Sequence, residues 1–144
     1  MRINKVFYKD QLIHDYSVII DVRTPSEFKE DHIPKSINCP VLSDKQRHEI
    51  GISYKENSFL AKKNGAELIS SNISKIIKKI KFDKKDKVLI YCWRGGLRSL
   101  SLYLVLKQIG YDVYLLDGGY KSFRKRVVEY LDSEAPKFKF NQIM

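Results

Sequence analysis

The chain has 144 residues, with 27 Lys or Arg against 17 Asp or Glu and a formal net charge of +10, so one domain is expected and its basic excess suits a polyanionic partner or simply a solvated surface. Two cysteines, Cys39 and Cys92, make neither a disulfide framework nor a metal-ligand spacing. No apolar run reaches membrane-spanning length and Met1-Arg2-Ile3-Asn4-Lys5 leads into no signal-peptide core, so the expectation is a soluble, cytoplasmic protein without a metal site.

In chain order, Val6, Phe7, Leu12 and Ile13 show no clean period. Tyr16 to Arg23 reads as a buried parallel strand, stopped by Thr24-Pro25. Thr24 or Ser26 can cap, Pro25 suits a first helical turn, and Ser26 to Glu30 makes a short helix. Asp21 and Arg23 fall at the carboxyl end of that strand, the edge where open parallel sheets place their sites. Equally, an Arg23–Glu27 ion pair and an Asp21 accepting loop N–H groups would only pin the turn. His32 to Pro40 reads as a turn and a very short strand fenced by prolines. His32 suits a scaffold group better than a base, and Cys39 a small buried hydrophobe better than a resolving thiol.

From Ser43 to Ile80 the chain turns helical and basic. Ser43-Asp44-Lys45-Gln46 has the form of a capping start, Gly51 to Ser58 reads as a loop, and Ser58 to Ile80 carries Leu68, Ile69, Ile73, Ile76, Ile77 and Ile80 on one helix face. Lys75, Lys78, Lys79, Lys81, Lys84, Lys85 and Lys87 form either a phosphate-tracking patch or a solvated face.

The most informative stretch is Val88-Leu89-Ile90-Tyr91-Cys92-Trp93-Arg94-Gly95-Gly96-Leu97-Arg98-Ser99. An apolar run delivers a cysteine into a glycine turn, and an apolar helix, Leu100 to Ile109, follows at once, closed by Gly110. Loop amides and a helix N-terminus aimed at a sulfur lower a thiol pKa and hold an anion. Gly95 and Gly96 allow the unusual backbone angles of such a cradle. Arg98 can add a planar donor fork beside the anion, and Arg98-Ser99 can cap the helix. The alternative is an inert buried cysteine ending a strand. Tyr111 to Asp117 is another buried strand, ending in Gly118-Gly119. Tyr120 to Leu131 then reads as a basic amphipathic helix with Phe123, Val127, Val128 and Leu131 inward. The tail, Lys137 to Ile143, alternates like the beginning of a strand. Strands alternating with helices give an α/β domain with a mainly parallel sheet.

Asp21-Val22-Arg23-x-x-x-Glu27-Phe28, His32-Ile33-Pro34-x-x-Ile37-Asn38, a strand ending at Cys92, and Leu116-Asp117-Gly118-Gly119 resemble, in order and spacing, the rhodanese-like sulfurtransferase domain. More specifically, Tyr91 to Ser99 and Gly118 to Arg124 resemble the rhodanese domain of the tRNA 2-selenouridine synthase family, as do Pro40 to Asp44, Glu49 to Lys55 and Ala61 to Ala66. The resemblance implies a rhodanese-like α/β fold over residues 1–134, with helices on both faces of the sheet. It also implies replacement of the 2-thio sulfur of the tRNA wobble uridine by selenium, with selenophosphate and geranyl diphosphate as co-substrates and no cofactor bound by this chain. Cys92 would be the nucleophile, carrying a persulfide or perselenide. Arg94 and Arg98 would neutralise a bound anion, with Arg98 alternatively held by Asp21, and Trp93 would stack on an extruded base or lie as a lid. Leu97 completes the implied loop.

That family's second domain carries a phosphate-binding Gly-x-x-x-x-Gly-Lys-Ser/Thr loop, and no such string occurs here. Residues 135–144 are therefore expected to lead toward a P-loop domain or subunit acting in cis or in trans, without which the chain hands chalcogen on but does not select tRNA. Cys92-x5-Arg98 also has the spacing of cysteine phosphatase loops and of arsenate reduction, and a general sulfurtransferase or a non-catalytic docking module remain alternatives.

Overall fold

The structure is a computed structural model that describes residues 2–143, with side chains described to Ser133. Five parallel strands, β1 (Lys5–Val6), β2 (Val18–Asp21), β3 (Ser36–Asn38), β4 (Lys87–Tyr91) and β5 (Asp112–Leu116), lie in the order β1-β5-β4-β2-β3. The helices are α1 (Pro25–Glu30), α2 (Asp44–Glu56), α3 (Ser58–Lys79), α4 (Leu97–Ile109) and α5 (Gly119–Ile143), with one 3-10 turn at Leu12–Asp15. Because every strand runs the same way, the carboxyl ends of β5, β4 and β2 meet side by side at one edge.

The central strand β4 shows why the sheet is covered twice. Val88, Ile90 and Cys92 enter one core with Ile20, Leu102, Tyr103, Leu106 and Ile73, which α3 and α4 close. Leu89 and Tyr91 enter the other with Leu12, Ile19, Ile33, Leu116, Tyr120 and Phe123. The period of two runs past the strand end, so Cys92 inherits the side of Ile90 and Trp93 that of Tyr91.

Several boundaries differ from expectation. Gly51 to Glu56 belongs to α2 rather than to a loop. The Ser43–Gln46 capping box nucleates that helix, each further residue then adds a hydrogen bond, and one glycine costs only about 1 kcal/mol. The turn falls instead at Asn57, whose side chain accepts from Leu60 N–H and starts α3. Helix α4 begins at Leu97, and β1, only two residues long, is too short to show a period.

Near the start of α5 the side chains of Tyr120 and Phe123 are buried, whereas Val127, Val128 and Leu131 are 37, 46 and 52% exposed. The neighbouring sheet edge ends in the two-residue β1, which leaves no further surface for them to cover. Residues 137–143 continue α5 and do not form a strand. A helix satisfies its own backbone groups, whereas a strand needs a neighbour. No described helix is long and apolar enough to cross a membrane.

Candidate active site

The loop between β4 and α4 is built from residues 92–96. Cys92 is 3% exposed, with Sγ 3.1 Å from Ser99 Oγ and 4.0 Å from Gly96 O. Ser99 was expected to help cap α4, but the N-cap is Gly96 and no side chain caps it. The first-turn amides of α4 thus remain available to an anion at the positive end of the helix dipole. Gly95 has φ +79° and supports the expected backbone freedom. Gly96, at φ −87° with open space around it, requires no such freedom, which corrects the expectation for that residue.

The β5–α5 turn props the loop from below. Tyr120 N–H donates to Cys92 O at 2.7 Å and Lys121 N–H to Trp93 O at 2.9 Å. A Cβ on Gly119 (φ +56°) would lie 2.8 Å from Gly95 N and from Trp93 C, so only glycine permits this backbone-on-backbone approach.

Arg98 is buried and its Nη1 donates to Glu27 Oε1 at 2.9 Å. The same oxygen accepts from Thr24 N–H and Oγ1 in the α1 capping box and lies 3.6 Å from Arg47 Nε. Burial pushes the Glu27 carboxyl up, but the Arg98 hydrogen bond and charge, with help from Thr24 and Arg47, hold it below the ordinary range.

Neither ion pair foreseen for Asp21 and Arg23 forms. Arg23 grips Asp21 itself, Nη2 to Oδ2 at 2.7 Å, and donates to Asp31 O at 2.7 Å, while Asp21 Oδ1 accepts Arg23 N–H at 2.8 Å. Residues two apart at a strand end share a side, so this short-range pair outcompetes Asp21–Arg98 and Arg23–Glu27. Arg23 also lies 4.2 Å above the Tyr120 ring, and Tyr120 donates to the Asp31 carboxylate. Arg94 and Leu97 are exposed at the loop, and Trp93 is half-buried with its ring 5.5 Å from that of Tyr120.

The scaffold readings hold for the remaining polar groups. His32 Nδ1 is 2.7 Å from Phe28 O and its ring stacks on Phe28. Cys39 donates its N–H to Asp21 O, and burial pushes its thiol up, away from the reactive thiolate.

Sequence reasoning did not assign site roles to Glu27, Arg47, Ser99, Tyr120 or Arg124. Ser99 was within reach of it, three residues past the glycine N-cap. Arg47 carries no local signal, because only the packing of α2 beside α1 brings it to the loop. Burial and the charge of Arg98 push the Arg47 guanidinium down, against Glu27 and the Cys92 sulfur, which pull it up. Chemically, the arrangement can hold a charged sulfur, or an anion bonded to it, against one hydroxyl and a helix N-terminus.

The Rhodanese-like domain family matches residues 8–126, and the chain belongs to that family. Among curated relatives it is 35% identical over 144 residues to the tRNA 2-selenouridine synthase of Shewanella pealeana, covering 94% of this chain and 39% of that protein. The tRNA 2-selenouridine synthase of Sulfurovum sp. is 34% identical over 125 residues, covering 84% of this chain and 34% of that protein. The chain therefore spans about two fifths or less of the length of these relatives.

Among solved structures, an N-terminal domain from Clostridium difficile 630, from a protein named for ATP/GTP binding, superposes with a TM-score of 0.74 at 33% identity, covering 88% of this chain and 98% of that one. A rhodanese-related protein from Thermoplasma volcanium, at TM-score 0.53 and 18% identity, covers 85% of this chain and 92% of that one and shares the fold.

Proposed function

We propose that this chain is the chalcogen-carrying rhodanese domain of a tRNA 2-selenouridine synthase, with Cys92 as the nucleophile. The observation that carries the reading is the Cys92 sulfur beside the Ser99 hydroxyl at the uncapped start of α4. With a sulfane donor such as thiosulfate, the Cys92 thiolate attacks the outer sulfur and the donor's S–S bond breaks. Sulfite leaves with its electron pair and Cys92 keeps a persulfide anion. Ser99 and the first-turn amides of α4 stabilise that charge, and Arg94 at the loop tip meets the departing anion.

The names of the relatives support tRNA as the final acceptor. Exchange of the 2-thio sulfur for selenium from selenophosphate, with geranyl diphosphate as co-substrate, belongs in this proposal to the complete enzyme, in which a phosphate-binding P-loop domain or subunit acts beside this chain in the cytoplasm. The Cys-x5-Arg phosphatase reading is less well supported, because Arg98 Nη1 is engaged by Glu27 rather than left free for a phosphate.

Mass spectrometry after thiosulfate treatment tests the carrier step. A single added sulfur on the wild-type chain and none on Cys92→Ser is the expected result, and absence of an adduct in both overturns the reading. Formation of 2-selenouridine only when a P-loop partner is added to this chain, with thiolated tRNA and both co-substrates, tests the larger assignment.

A further inference from the structure

A carrier of one sulfur atom needs only the loop, yet on the Trp93 side the structure opens a cleft of about 620 Å³ at the carboxyl edge of the sheet. Its inner wall is internally satisfied. Arg23 is held by Asp21 and the Asp31 carbonyl, and Tyr120 donates to the Asp31 carboxylate beneath the Arg23 guanidinium. The outer wall is different. Arg124 and Glu30 are exposed and make no ion pair among the described residues. Among the described residues Arg47 has only its 3.6 Å contact to a Glu27 oxygen that Arg98 already engages at 2.9 Å.

Two guanidiniums, one acceptor-only carboxylate and an indole therefore face one space. A small inorganic anion leaves the indole and the carboxylate without a role. An extended peptide is poorly served, because the open strand edges are β1 and β3 and the cleft lies at neither. A nucleotide uses all four groups: guanidiniums grip phosphates, an indole stacks on a base, and a carboxylate accepts from a ring N–H. Cavities of a few hundred Å³ are the usual size for ligands of this class.

We infer that this cleft seats one unstacked ribonucleotide of the RNA substrate, its base against Trp93, its flanking phosphates on Arg47 and Arg124, and the N3–H of a uracil-type ring on Glu30. The choice of RNA rests on the reading under Proposed function, and the residues that hold it are assigned by the cleft. Trp93 follows Cys92 in the chain but packs on the opposite side of the sheet, so a base held there lies beside the cysteine loop and not over the sulfur itself. The grip is that of a single nucleotide and does not by itself select a tRNA.

Trp93 is the only tryptophan in the chain, so its fluorescence reports the cleft directly. The test titrates the full chain with an RNA trimer whose central residue is 2-thiouridine, and with trimers whose central residue is cytidine or abasic. Binding is followed by Trp93 emission and by anisotropy of a labelled trimer.

Expected are saturable quenching by the 2-thiouridine trimer, several-fold weaker binding and a shallower salt dependence in Arg47→Ala and Arg124→Ala, and no change in Lys107→Ala in the last turn of α4. Cytidine, which presents an acceptor at N3, should bind several-fold more weakly, and Glu30→Ala should abolish that preference. Unchanged emission at millimolar trimer, equal binding and quenching by the abasic trimer, or indifference to both arginine substitutions overturns the assignment. Sulfur loading of Cys92 is measured on the same samples. Loading without quenching removes the nucleotide site and leaves the carrier reading intact, whereas quenching without loading does the reverse.

Discussion

Arg98 and Glu27, 71 positions apart in the chain, are joined at 2.9 Å, and through this contact the capping box of α1 holds the first turn of α4. The guanidinium is buried and the carboxylate three-quarters so, which makes the pair more than a surface ornament.

Its pH dependence follows from the depressed Glu27 carboxyl. A folded value below the unfolded one, about 4.3, means that the stabilisation is fully present above that pH and is lost as pH falls through the folded value. Thermal unfolding followed between neutral pH and about pH 3 should show a fall in Tm beginning near pH 4.3 that is shallower in Glu27→Gln. At neutral pH that variant should be less stable by about 1–2 kcal/mol, because a charged hydrogen bond becomes a neutral one. Equal slopes in the two proteins would discount the pair.

Ser99→Ala removes the hydroxyl 3.1 Å from the Cys92 sulfur and leaves packing nearly unchanged. Losing one hydrogen bond to a charged group, worth about 1.4 kcal/mol, should slow persulfide formation on Cys92 about tenfold. Stopped-flow measurement of sulfite release checks it, and an unaltered rate would assign Ser99 to helix structure alone.

Gly119→Ala places a Cβ against the backbone of the cysteine loop and imposes a positive φ on a residue that disfavours it. A loss of about 3 kcal/mol in urea unfolding, with poor sulfur loading of whatever remains folded, is expected. Wild-type stability in this variant would mean that the two turns separate readily.

Asp21→Ala strips the carboxylate from a fully buried ion pair and leaves Arg23 charged among Tyr91 and Tyr120. An uncompensated buried charge typically costs about 3–5 kcal/mol, and a drop of that size in denaturant midpoint should follow. A loss under ~1 kcal/mol would instead show that water or Asp31 takes over the guanidinium.

What could be read from the chain alone was whatever depends on neighbours in sequence. The buried strand that delivers Cys92 into its loop, the Ser43–Gln46 box and the Gly110 stop are set by residues within one or two turns, and each lies where expected. Partners chosen across the fold were not legible. Arg98 meets Glu27 because α1 and α4 start side by side at one sheet edge, and Arg47 joins them because the start of α2 packs on α1, where Ser26 donates to the Asp44 carboxylate. Val127, Val128 and Leu131 failed for a related reason: periodicity announces an apolar face but not how far the sheet beneath it extends.

The contact of the two glycine turns has a mechanical meaning. The carbonyls of Cys92 and Trp93 are tied to the leading amides of α5, so that long helix is rooted in the backbone of the cysteine loop itself. A tilt of α5 cannot be absorbed by a compliant side chain, since none lies between. The orientation of α5 and the path of the cysteine loop are therefore fixed together by main-chain hydrogen bonds.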